Sequence, residues 1–184
     1  MLQIQIPFVD LYDEVNNVFI TVEEQTLTLE HSLVSLAKWE SRWRKPFLSK
    51  EKLTAEESID YIRCMTLTEN VAPEVYLAIP DSTINTISEY IANPMTATWF
   101  SEDGNKGKKQ NKRPVTAEII YHWMIALSIP SEYDTWHLNR LLTLIRVCDE
   151  ENKPANGKKK SVNNILNDYA ALNNARKQKL KTRG

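Results

Sequence analysis

The chain opens on strict alternation. Leu2, Ile4 and Ile6 are separated by Gln3 and Gln5, the period of two that a half-buried strand requires. Val18, Ile20 and Val22 repeat that period, and Leu27 and Leu29 flank Thr28. Asn16-Asn17 precedes the second run, and asparagine tolerates the positive φ of a tight turn. Three short strands are therefore predicted within residues 1–30. They cannot bury a face alone and must pack on a helix or pair with another chain.

From Ser32 the period lengthens. Leu33, Leu36, Ala37, Trp39 and Trp43 recur at helical spacing, and Pro46 sets the end of that helix. Thr54-Ala55-Glu56-Glu57 has the capping-box spacing and opens a second helix with Ile59, Ile62 and Met65 on one face. Pro73 to Leu77 reads as one short helical turn. Pro80-Asp81 introduces a third helix with Ile84, Ile87 and Ile91 inward and Pro94 beyond its end. Residues 95–100 read as a strand or an extended segment. Residues 101–114 read as an exposed polar loop carrying Lys106, Lys108, Lys109, Lys112 and Arg113. Thr116 is the expected cap of a helix that is apolar nearly all round through Leu127, the mark of a central buried element, so Trp123 is expected in the core. Asp134-Thr135 is expected to open another, with Leu138, Leu141, Leu142, Ile145 and Cys148 as its stripe.

The predicted fold is mainly α with a small N-terminal antiparallel β element, an α+β class. Residues 1–30 form the β element, 31–150 a helical body with the basic loop 101–114, and 151–184 a linker and basic C-terminal helix. No apolar run approaches the roughly 20 residues of a bilayer span, so no membrane contact is expected. The first residues lack the basic and apolar regions of a secretory signal. Two cysteines, Cys64 and Cys148, are too few for a disulfide framework and fit synthesis in a reducing compartment.

Charge changes the picture. The net charge is −1, but residues 152–184 hold nine Lys/Arg against Asp168 alone, a net of +8. Residues 1–151, with 14 basic and 23 acidic residues, hold −9. The tail is drawn to acidic surfaces and the body is not. Ile165, Tyr169 and Leu172 fall at i, i+4 and i+7, a narrow apolar stripe. Together with Lys158, Lys159, Lys160, Arg176, Lys177, Lys179, Lys181 and Arg183 they are the predicted partner-binding residues, on an arm that docks on a neighbour rather than on its own core. A solvated, frayed terminus is the plainer alternative.

Catalytic chemistry finds no foothold. His31, His122, His137, Cys64 and Cys148 are the only soft ligands, and none pairs at zinc spacing. The run from Gly104 to Lys109 lacks both the glycine spacing and the hydroxyl residue of a phosphate loop. No catalytic residue, cofactor or metal is predicted. Of the five tryptophans, Trp39 and Trp43 share a helix with Lys38, Arg42, Arg44 and Lys45. That mixture suits an interface or a nucleic-acid strand. Tryptophans facing in and charges facing out is the simpler account.

Several stretches then resemble, in order and over most of the chain, small proteins from the tail region of tailed bacteriophages, described as tail assembly or tail-chaperone-like proteins. They are 29–41 (LEHSLVSLAKWES), 95–100 (MTATWF), 116–121 (TAEIIY), 136–148 (WHLNRLLTLIRVC) and 180–184 (LKTRG). The resemblance implies a non-enzymatic structural or assembly protein. Its partners would be tail tube or tape-measure proteins or neighbouring copies, as a homo-oligomer. Its place would be the virion tail, or the host cytoplasm during assembly. The alternative is a nucleic-acid-binding regulator using the tail and the 106–113 loop, against which the acidic body counts because it repels phosphate. An unrecognised small enzyme comes third.

Overall fold

The computed structural model describes residues 1–49, 51–100 and 114–152. The chain divides into two units, Met1–Asp149 and Glu150–Gly184, and the first carries the elements that follow, the last of which ends three residues into the second. The predicted class holds: helices predominate after a small antiparallel β element. That element has four strands rather than three: β1 (Leu2–Ile6), β2 (Val9–Asp13), β3 (Val18–Val22) and β4 (Gln25–Leu29). β1 pairs with β4 and β2 with β3. Both pairings keep one register, with Ile6 opposite Gln25 and, three residues on, Val9 opposite Val22. The four strands therefore make one long hairpin whose ladder breaks at Pro7-Phe8, where proline has no N–H to give. Its turn, residues 14–17, is held by Asp13, whose carboxylate accepts from the Val15 and Asn16 N–H groups at 2.9 and 3.2 Å. Asn17 takes the positive φ of 57° that the sequence anticipated there.

The outer edge of β4 is closed. Leu67 N–H donates to the Thr28 carbonyl at 2.8 Å and Glu30 N–H to the Met65 carbonyl at 2.9 Å. The chain then builds α1 (Leu33–Trp43), α2 (Ala55–Met65), a 3₁₀ turn Pro73–Ala78, α3 (Asp81–Ala92), α4 (Ala117–Ala126), a 3₁₀ turn Ser131–Thr135 and α5 (Leu138–Asn152). α1 and α2 start and stop close to where their caps predict. Ser32 Oγ accepts from Ser35 N–H, and Thr54 and Glu57 close the reciprocal capping box.

Two apolar clusters hold the fold. The first joins Ile4, Ile6, Leu27 and Leu29 of the hairpin to Trp39, Tyr61, Met65, Tyr76 and Ile87. The second joins Leu33 and Leu36 to Ala117, Ile120, Met124, Leu138, Leu141 and Ile145. α1 serves both, with Trp39 on one side and Leu33 and Leu36 on the other. Glu40, buried between them, accepts from Phe47 N–H at 2.8 Å and from Ala117 N–H at 2.7 Å. Burial pushes its carboxyl above the ordinary value.

Three expectations need correction here. Thr116 stands at the N-cap position of α4 but makes no side-chain cap bond; the first helical N–H, that of Ala117, goes to Glu40 of α1. α4 is not central. Ala117, Ile120 and Met124 face inward, while Ile125 is 78% exposed and Trp123 is only half-buried, since its neighbours α1 and α5 cover one side. Finally, α5 begins at Leu138 and not at Asp134. Ser32 and His137 form a β-bridge and Leu138 N–H donates to the His31 carbonyl at 2.7 Å, which holds the backbone extended just before the helix.

Candidate interaction surface

The ribbon β2–β3 is the least covered element of the described residues that carries large apolar side chains. Its alternation is regular. Val9, Leu11, Ile20 and Val22 form the inner face, against the 3₁₀ turn Pro73–Ala78. Asp10, Tyr12, Phe19 and Thr21 form the outer face. Tyr12 lies opposite Phe19 with ring centroids 5.1 Å apart, and Thr21 Oγ1 donates to Asp10 at 2.7 Å. Phe8 and Glu23 lie exposed in the break between the two ladders, next to the ribbon. Phe8, Tyr12 and Phe19 are 59%, 50% and 72% exposed. A cross-strand pair of exposed aromatics with a third close by in sequence is costly in water and is the ordinary mark of a binding surface.

The electrostatics of the hairpin are one-sided. Residues 1–31 hold six carboxylates, Asp10, Asp13, Glu14, Glu23, Glu24 and Glu30, and no lysine or arginine. Hydrogen bonds from Asn16 and Val15 hold the Asp13 carboxyl below its usual range. No other strand pairs with β2 or β3 along their outer edges among the described residues. The surface offers aromatic faces, carboxylates and open backbone edges, the features by which one chain binds another.

A second cluster lies at the foot of the hairpin. His31 and His137 are both buried, with ring centroids 5.1 Å apart. Tyr61 Oη sits 2.6 Å from His31 Nδ1. His137 Nε2 donates to the Tyr90 carbonyl at 3.0 Å, which leaves Nδ1 buried without a partner. Tyr90 Oη donates to Glu30 at 2.7 Å, and the Met1 amino group pairs with Glu30 at 2.8 Å. Burial, with the neighbouring His137, pushes His31 down to about 3, and burial lowers His137 as well. Both rings are neutral at pH 7. A cavity of about 310 Å³ is lined by Glu30, Tyr90, Trp136, His137 and Arg140, but no three His, Cys, Asp or Glu side chains converge to hold a metal among the described residues. The cluster locks β4 to α5 and reads as structure.

The remaining sequence candidates disperse. Cys64 is buried, where desolvation pushes its thiol up, and Cys148 is half-buried and free. Trp39 is fully buried and donates to the Glu57 carbonyl at 2.9 Å, while Trp43 donates to Asp60 at 2.8 Å. Trp39 is therefore core, and Trp43 is half-buried at its margin. Trp99 is 77% exposed beside the 101–113 segment. Lys158, Lys159, Lys160, Ile165, Tyr169, Leu172, Arg176, Lys177, Lys179, Lys181 and Arg183 lie outside the described residues, as do 101–113. Phe8, Tyr12 and Phe19 went unnoticed in the sequence, although Val9, Leu11 and the polar residues between them alternate as plainly as β1 does. No helix among the described residues is long and apolar enough to cross a membrane. Comparison of the chain with protein-family models, with curated proteins and with solved structures finds no match.

Proposed function

We propose that this chain is a non-enzymatic protein of a bacteriophage tail, built into the tail or acting on tube, tape-measure or neighbouring subunits during assembly. It works by protein–protein contact, and its basic C-terminal arm docks on a neighbour. The observation that carries the reading is the β2–β3 ribbon, with Tyr12 and Phe19 exposed on one face, Phe8 exposed at its base and its outer edges open among the described residues. Such a face is suited to burial against a partner, by strand addition or by side-chain packing. The sequence resemblance supplies the setting, a virion tail or the host cytoplasm in which tails are made. Nucleic acid is disfavoured at this surface because its aromatics stand among carboxylates, which phosphate avoids.

Affinity capture of the full chain from infected cells, followed by mass spectrometry, tests the reading. Tube or tape-measure proteins are expected to co-purify, and Phe19→Ser is expected to reduce their yield. Recovery of nucleic acid with no tail protein would overturn it. Mass spectrometry of purified particles then separates a resident subunit from an assembly factor.

A further inference from the structure

We infer that the outer face of the β2–β3 ribbon is the docking site for the basic segment 153–184 of a second copy of this chain. The inference rests on the reading above and names the surface that the arm would grip. Two features of one chain are complementary. The hairpin carries five carboxylates, Asp10, Asp13, Glu14, Glu23 and Glu24, and no cationic side chain, whereas residues 153–184 carry nine Lys/Arg and one acid. Opposite fields of that size steer the two together and fix their register.

The aromatics add a contact of matching chemistry. Tyr12 and Phe19 present ring faces on the side that carries Asp10, and Phe8 and Glu23 are exposed in the break next to it. Lysine and arginine stack on such rings while their charge meets the carboxylates. The apolar spacing of Ile165, Tyr169 and Leu172 supplies side chains that the rings can bury. Neither half is self-complementary, so the contact is heterologous. Each copy keeps one free ribbon and one free segment, and repetition of the contact closes into rings or runs on into filaments. The field of the segment is opposite to that of the ribbon every copy presents, and this is why the occupant is a second copy.

Mixing two full-length variants tests the inference. One carries Tyr12→Ser and Phe19→Ser; the other carries Arg176→Glu, Lys177→Glu and Lys179→Glu. By sedimentation at low salt the native chain should self-associate, and should come apart as salt screens the charges. Each variant alone should associate at least roughly tenfold more weakly, as loss of the ring–cation contacts requires. An equimolar mixture should form a 1:1 dimer, because one intact ribbon then meets one intact segment. Asp10→Lys with Glu23→Lys is the second ribbon variant, should the aromatic one fail to fold, and should behave in the same way. A native chain that stays monomeric throughout, association indifferent to both ribbon variants, or a mixture that yields no dimer would each overturn the inference. The last of these would mean that the segment closes on its own ribbon. The assay holds no phage component, so its failure is distinct from failure to capture tail proteins.

Discussion

The two halves of the hairpin make an instructive pair. β1–β4 and β2–β3 have equal length and one pairing register, with the alternation changing phase at the break between them, yet Ile6, Leu27 and Leu29 are fully buried while Tyr12, Val18 and Phe19 stand in solvent. The difference lies in what packs against each half. Around β1–β4 the backbone of 65–68 closes the edge, and side chains from α1, α2 and α3 cover the inner face. Around β2–β3 the 3₁₀ turn Pro73–Ala78 and the edge of the first cluster cover the inner side, and the outer side stays exposed among the described residues. Alternation thus sets which residues share a face, and the neighbouring helices decide which face is wet.

The contrast can be broken most sharply at its base. Leu27→Ala, in a fully buried site, should cost about 2–5 kcal/mol in urea unfolding. A cost under about 1 kcal/mol would mean that the base is as loosely covered as the tip.

A second test uses acid at the foot of the base. His31 titrates at about 3 in the folded chain against 6.5 unfolded, so the unfolded chain takes up its proton first. The stability tied to this neutral ring is fully present above pH 6.5 and is lost as pH falls towards 3. Between pH 6.5 and 5 the loss should be about 2 kcal/mol, and His31→Gln should flatten that slope. An unchanged slope in the variant would place the titrating group elsewhere.

The smallest effect belongs to the tip. Phe19→Ala removes one exposed cross-strand ring contact and should shift stability by less than about 1 kcal/mol. A loss equal to that of Leu27→Ala would show that the tip is held as firmly as the base.

Much of this architecture was legible in the residues themselves. The capping box at Thr54 and Glu57, the Ser32 cap and the isoleucines of α3 are local signals, and each placed its element. The errors fall where distant parts of the chain intervene. Glu40, 76 residues from Thr116 in sequence, takes the first helical N–H of α4, a contact that no local cap signal announces. α5 starts late because the preceding backbone is engaged with His31 and Ser32. The apolar circumference of α4 predicted burial, and no rule of periodicity could reveal that the side bearing Ile125 would be left uncovered. The aromatic face of the ribbon was within reach, since β2 alternates. What obscured it was the break at Pro7-Phe8, which separates β2 from the run before it.

The double duty of α1 has a consequence in time. Synthesis delivers the hairpin, α1, α2 and α3 before any of α4 exists. The first cluster can therefore close while the chain is still emerging, with α1 fixed by Trp39 and Tyr61. Leu33 and Leu36 must then wait for α4 and α5. At about 5–20 residues per second, the 77 positions between Glu40 and Ala117 take about 4–15 s to appear. For that interval the nascent protein shows a bare leucine face and a buried carboxylate with half of its partners, and this is when it is most open to misassembly with other chains.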